Sequence, residues 1–135
     1  FAFRFGDGLI HLGMLGDGLV AALKPDSSVV SLTEDKGYGF SNITTALSQN
    51  VSPNEWRHIS LPEEECIAVF LCTDGVADDL DNVDGFVSGF IEAHCSIAEI
   101  SANRRTREML EKWPTPKHSD DKTIACLFRE DAPDA

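Results

Sequence analysis

Two clusters of aspartates flank two apolar runs of the sequence. In "FLCTDGVADDL" (70–80), apolar and small residues lead directly into Asp74 and Gly75. In "HSDDKTIACLF" (118–128), Asp120 and Asp121 precede a second apolar run. If the two runs are strands that pair antiparallel, the end of one strand lies beside the start of the other. Asp74 would then face Asp120 or Asp121 at a single edge of a sheet.

Carboxylates that meet in this way need a counter-charge. Two unit charges about 4 Å apart repel each other by about 4 kcal/mol at an effective dielectric constant of about 20. A fold keeps such a pair when one carboxyl group is protonated or when a cation binds, and hard oxygen ligands favour Mg²⁺ or Mn²⁺. Each cluster alone also fits an ordinary solvated turn, because Asp-Gly is a common turn dipeptide. The occurrence of both clusters at the same inferred edge favours a cation site.

Composition narrows the functional class. The chain has 135 residues, of which 42% are hydrophobic, so it is long and apolar enough for one globular domain spanning 1–135. Its net charge of −12 argues against nucleic acid and anionic membranes as partners. No apolar run approaches the roughly 18 residues that would span a bilayer. The sequence gives no indication of an oligomeric state.

The cysteines predict a reducing compartment. Their spacing shows no CxxC pair and no zinc pattern; they are Cys66, Cys72, Cys95 and Cys126. We expect the four thiols to be reduced and to pack as small hydrophobic groups in a cytoplasmic protein. A disulfide between two of them is the alternative. The chain begins at Phe1 inside a strand-like run, which is typical of a fragment of a longer chain.

Hydrophobic periodicity predicts an α+β fold in which antiparallel sheets pack against helices. Strands are predicted at 1–5, 9–15, 19–23, 29–33, 56–61, 66–73 and 123–128. Residues 1–33 read as an antiparallel meander, and 34–55 as an irregular loop. A helix is predicted at 83–93, and a second one from a capping box at 96–99 to Trp113, where Pro114 and Pro116 stop it.

Three features of these elements bear on a site. The runs 66–73 and 123–128 are apolar at nearly every position, which predicts strands covered on both faces. "GDG" at 6–8 reads as a hairpin turn. "GDG" at 16–18 interrupts an apolar run, and there we predict a bulge or kink near something functional.

Three motifs, which occur in the family's order along the chain, resemble motifs of the type 2C metal-dependent protein serine/threonine phosphatases. "LCTDGVADDL" is similar to the Ser-Asp-Gly segment of that family. "SDDKTIACLF" is similar to its Asp-Asn-x-Thr segment, with Asp121 where Asn is usual. "LIHLGMLGDGLVAAL", followed by "VVSLT", is similar to its strand–Gly-Asp-Ser–strand passage, with Gly18 where Ser is common.

The resemblance implies an α-β-β-α sandwich and a dinuclear Mg²⁺ or Mn²⁺ centre. Asp74 and Asp120 match the metal-binding carboxylates, whereas Gly75, Asp17 and Asp121 match supporting positions. The implied activity is hydrolysis of phosphoserine and phosphothreonine in protein substrates, by a water that two cations activate, in a signalling role.

One part of the family pattern is missing. The Asp-Gly-His-Gly-Gly segment, which supplies a further metal-binding aspartate, does not occur in these 135 residues, and neither do the family's phosphate-binding Arg and its general-acid His. We therefore expect the chain to be the C-terminal half of a catalytic domain, and to bind metal poorly and hydrolyse little when alone.

Two other interpretations concern the same residues. A haloacid-dehalogenase-type phosphatase would need a nucleophilic Asp two residues before Asp74, where the sequence has Cys72. A catalytically inactive, phosphatase-like sensor or scaffold stays open. His118 reads as a solvated loop residue, and the ten acidic residues between Arg57 and Arg104 read mostly as a solvated face.

Overall fold

The structure is a computed structural model, and it describes residues 1–33, 47–48, 50–113 and 120–130. His118, Pro114, Pro116 and most of the predicted loop 34–55 lie outside the described residues. The strands are β1 Ala2–Arg4, β2 Leu9–Met14, β3 Leu19–Leu23, β4 Val29–Thr33, β5 Arg57–Pro62, β6 Ala68–Cys72 and β7 Ile124–Phe128. The α-helices are α1 Asp74–Ala77, α2 Val83–His94 and α3 Glu99–Glu111, and 3₁₀ turns cover Pro53–Glu55 and Glu63–Glu65.

The strands form two antiparallel sheets. One sheet has three strands in the order β1-β2-β5, and the other has four in the order β4-β3-β6-β7. Every neighbouring pair is antiparallel. The predicted α+β class is therefore confirmed, and so is the predicted central position of β6.

Alternation along β3 explains why the two sheets stack. Leu19, Ala21 and Leu23 face one side and pack in a core cluster with α2. Val20 and Ala22 face the other side and pack against the three-stranded sheet, in a second cluster with Leu12, Met14 and Leu61. Because side chains in a strand point alternately to opposite faces, one strand can serve both cores. The layers are thus sheet, sheet and helix.

The two long helices differ in how much they bury. In α2, Val87, Phe90 and Ile91 recur at helical spacing and are buried against the four-stranded sheet. Asn82 caps this helix, because its side chain accepts the N–H of Gly85 at 3.0 Å. In α3 no residue is fully buried. Among the described residues, no helix is long and apolar enough to cross a membrane.

Two predictions about strands were wrong. β2 and β3 do not pair, so residues 1–33 are two hairpins in different sheets rather than one meander. Gly16-Asp17-Gly18, where we predicted a bulge or kink, is the turn that carries the chain from one sheet to the other. β7 is not covered on both faces: within the described part of the chain it pairs with β6 alone, and Leu127 and Phe128 are exposed. Apolar composition cannot distinguish an edge strand from a central one.

The predicted capping box at 96–99 is also absent. α3 begins at Glu99, after Ala98, without a side-chain cap. Ser96 instead lies in the turn that ends α2, where Ile97 N–H donates to His94 O at 3.3 Å. That turn occupies the residues that the capping box would need.

Candidate functional site

Strand register brings three separate segments to one edge of the four-stranded sheet. Cys72, the last residue of β6, pairs with Leu19 at the start of β3 and with Ile124 at the start of β7. The segments 16–18, 73–75 and 120–123 therefore lie side by side at this edge. The predicted antiparallel pairing of the two apolar runs is confirmed.

Thr73 joins two of these segments. Its hydroxyl donates to Asp121 O at 3.0 Å and accepts Thr123 N–H at 3.1 Å. Its own N–H donates to Thr123 O at 3.1 Å. These three bonds extend the β6–β7 ladder to the residues next to Asp74 and Asp120.

Gly75 lets the backbones approach each other closely. A Cβ atom at this position would lie 2.5 Å from Asp121 O and 3.2 Å from Asp120 O. No side chain fits in that space, so glycine is what allows the Asp74 segment to pack against the Asp120–Asp121 backbone. Asp74 begins the one-turn helix α1, an element that hydrophobic periodicity did not predict.

Gly18 has the same function on the other side of β6. Its φ is +117°, and a Cβ atom would lie 2.8 Å from Cys72 O. The 16–18 turn thus packs on the backbone that leads into Asp74, and it carries Asp17 to the same edge. Asp17 and Asp74 are half-buried, whereas Asp120 and Asp121 are exposed.

The two carboxylates offer donors that suit a hard cation. Oδ1 of Asp74 accepts Gly75 N–H at 2.8 Å, and Oδ1 of Asp120 accepts Asp121 N–H at 2.9 Å. The second oxygen of each has no hydrogen bond within the described part of the chain, and it is therefore available to a hard cation such as Mg²⁺ or Mn²⁺. Among the described residues, however, no group of three or more His, Cys, Asp or Glu side chains is placed to hold a metal ion. The set fits part of a cation site.

The thiol beside the edge is not a nucleophile. Burial, with a smaller contribution from the charge of Asp74, raises the pKa of Cys72 to about 12. Cys72 is therefore a neutral thiol at physiological pH, and thiolate is the reactive form. All four cysteines are free in the structure.

Two open hollows give access to the acidic edge. One of about 520 Å³ adjoins Asp17 and Thr73 and is mainly lined by apolar side chains. The other, of about 610 Å³, lies between α3 and the residues from Asp120 to Ile124. The first hollow therefore opens beside Asp17, and the second opens beside Asp120 and Asp121.

Sequence reasoning missed a group of residues behind the edge. Asp79 was read as part of a solvated face, yet it is buried, with 7% of its surface exposed. Its Oδ2 accepts the indole N–H of Trp113 at 2.9 Å and lies 3.5 Å from Lys122 Nζ. Nothing in the spacing of these three residues indicates that they meet, because they lie in three separate connecting segments, after α1, after α3 and before β7.

The chain is an α+β protein with two antiparallel sheets and a helical layer, and acidic turns lie together at one edge of the four-stranded sheet. The family model for protein phosphatase 2C matches residues 1–113. The chain belongs to the protein phosphatase 2C family. Asp120 and Asp121 lie beyond the matched residues, so their place in the site depends on the strand register. No curated protein and no solved structure matches the chain.

Proposed function

We propose that the protein hydrolyses phosphoserine and phosphothreonine in proteins, using Mg²⁺ or Mn²⁺ held in part by Asp74 and Asp120. The observation that supports this most is the close packing of Gly75 on the Asp120–Asp121 backbone, which brings two acidic turns from distant parts of the chain to one edge. Membership of the phosphatase family supports the reaction class.

Each residue at the edge has a distinct role in this proposal. Asp74 and Asp120 bind the cations through carboxylate oxygens. Gly75 keeps the two segments in contact, and Asp17 and Asp121 support the binding residues from either side. The two cations, when bound, would supply an acidified water and stabilise negative charge on the phosphoryl oxygens.

We further propose that this chain is the C-terminal part of a catalytic domain and that an earlier segment supplies the remaining ligands. The support is the incomplete donor set, since Mg²⁺ demands near-octahedral coordination and two exposed or half-buried carboxylates do not provide it. The chain alone should then hydrolyse little. We assign the protein to the cytoplasm, which its four free thiols support.

An inactive sensor or scaffold is the second candidate. The same incomplete donor set among the described residues favours it. A haloacid-dehalogenase mechanism finds no support, because the position of its nucleophilic aspartate is occupied by Cys72, a neutral thiol.

The test is Mn²⁺-dependent hydrolysis of a phosphopeptide by the full-length protein and by Asp74→Ala and Asp120→Ala. We expect each substitution to lower kcat/KM by about 100-fold or more, because loss of one cation ligand removes several kcal/mol of transition-state stabilisation. Asp84→Ala is the matched control, since Asp84 is an exposed aspartate in the first turn of α2.

The outcomes separate the two candidates. Activity that survives both substitutions contradicts the assignment of Asp74 and Asp120. A folded full-length protein that binds Mn²⁺ weakly and hydrolyses no phosphopeptide supports the sensor or scaffold.

A further inference from the structure

Asp79 places a carboxyl group inside the protein, where its polarity must be compensated. Its side chain is fully buried, and the chain around it is strongly acidic. A buried carboxylate is costly unless it is paired and hydrogen-bonded. Trp113 and Lys122 meet that need, one with an indole N–H and the other with an ammonium group. These three residues are called the Asp79 cluster below.

Lys122 links the cluster to the candidate cation site. Its Nζ lies 3.5 Å from Asp79 Oδ2 and 3.5 Å from the backbone oxygen of Asp120. It also lies 5.9 Å from the centre of the Trp113 ring, within the range of a cation–π contact. The ammonium group therefore touches both the buried carboxylate and the residue proposed to bind a cation.

Asp79 and Lys122 each lie a few residues after one of the two proposed cation-binding aspartates. Asp79 follows Asp74 by five residues, and its N–H donates to Val76 O in the turn that ends α1. Lys122 follows Asp120 by two residues. The Asp74 and Asp120 segments are thus joined twice, once through Thr73 and once through the Asp79–Lys122 contact.

Trp113 fixes the far side of the cluster. Its ring packs edge-on against Phe86 of α2, with 5.8 Å between ring centres. Because Trp113 lies two residues after the end of α3, the carboxylate of Asp79 is held from the helical layer as well as from the sheet edge.

We propose that the Asp79 cluster is a positioning device that holds Asp120 at the distance from Asp74 that divalent-cation binding requires. The proposal deepens the proposed function and rests on it for the roles of Asp74 and Asp120. Movement of the 120–123 segment away from Asp74 would separate the Lys122 ammonium group from the buried carboxylate of Asp79, which opposes that movement. Residues that orient metal ligands in this way commonly change metal affinity 10- to 100-fold when substituted.

The experiment uses the full-length protein with Lys122→Met, which keeps the length of the side chain and removes the charge. Lys122→Arg and Trp113→Phe are milder variants in case Lys122→Met folds poorly. Lys24→Met is the matched control, because Lys24 forms a comparable ion pair with Glu65 at 2.8 Å on the surface. Two quantities are measured: amide hydrogen exchange at Thr123 and at Arg129, and the Mn²⁺ concentration that gives half-maximal hydrolysis.

The two amides report on different ends of β7. Thr123 N–H donates to Thr73 Oγ1 beside the acidic edge, and Arg129 N–H donates to Ile67 O at the opposite end. In Lys122→Met we expect about ten-fold faster exchange at Thr123, no change at Arg129, and about ten-fold more Mn²⁺ for half-maximal hydrolysis. Lys122→Arg should show little of either effect, and Trp113→Phe should show both effects more weakly than Lys122→Met.

Three results would overturn the inference: unchanged exchange at Thr123, equal acceleration at both amides, or faster exchange at Thr123 with an unchanged Mn²⁺ requirement. Failure of the proposed function is recognised separately, by hydrolysis that does not depend on Asp74.

Discussion

The same three residues, Gly-Asp-Gly, form two turns of the molecule with different surroundings. The first turn, 6–8, joins β1 and β2 within the three-stranded sheet. The second turn, 16–18, carries the chain from that sheet to the four-stranded one. All four glycines have φ between +80° and +117°, so the local turn requirement is alike.

What separates the two turns is tertiary packing. A Cβ atom at Gly8 would meet nothing within 4 Å, whereas one at Gly18 would lie 2.8 Å from Cys72 O. In the first turn there is room for a Cβ atom at both glycines. The second is packed on the backbone that leads into Asp74. The same turn sequence therefore serves a hairpin in one place and a candidate site in the other.

Gly18→Ala and Gly8→Ala give the largest expected contrast. Gly8→Ala forces only a positive φ on alanine, at a cost of about 1 kcal/mol in the free energy of unfolding. Gly18→Ala adds a backbone clash, for a total of about 3 kcal/mol. Thermal unfolding followed by circular dichroism should show Tm falling by about 4 °C for Gly8→Ala and about 12 °C for Gly18→Ala. An equal fall in Tm for the two variants would contradict the close contact between a Cβ atom at Gly18 and Cys72 O.

Asp7 and Asp17, the central residues of the two Gly-Asp-Gly turns, provide a smaller contrast, which concerns function. We expect Asp17→Asn in the full-length protein to raise the Mn²⁺ concentration for half-maximal phosphopeptide hydrolysis about ten-fold, because a neutral amide supports the cation less well. Asp7→Asn is the matched control and should leave that concentration unchanged. A similar change in both variants, or in neither, would remove Asp17 from the proposed site.

The acidic edge was predictable because its cause is regular. Two apolar runs with aspartates at opposite ends meet at one edge as soon as the runs pair antiparallel, and β6 and β7 do so. The crossing at 16–18 was not predictable, since turn chemistry is the same whether a turn stays in one sheet or changes sheet. The burial of Asp79 was not predictable either, because its partners Trp113 and Lys122 lie in connecting segments far from it in the sequence.

The smallest contrast concerns the pH response of the first turn. Hydrogen bonds to His11, at 3.0 Å, and to Leu9 N–H, at 3.1 Å, hold the pKa of Asp7 below its ordinary value of 3.8, with His11 the larger cause. A carboxylate whose pKa is depressed by folding stabilises the protein above its unfolded pKa, and that contribution is lost as the pH falls through the folded pKa. Asp7→Asn should therefore flatten the fall in stability below about pH 4, by a small amount because Asp7 is exposed. Carboxyl ¹³C titration should show Asp7 titrating below 3.8, and His11→Gln should move its pKa back towards 3.8. A pKa of Asp7 at its ordinary value in the unsubstituted protein would show that the side chain is not hydrogen-bonded within its own hairpin. The contrast between Asp7, as a residue that stabilises its turn, and Asp17, as a residue of the proposed site, would then be contradicted.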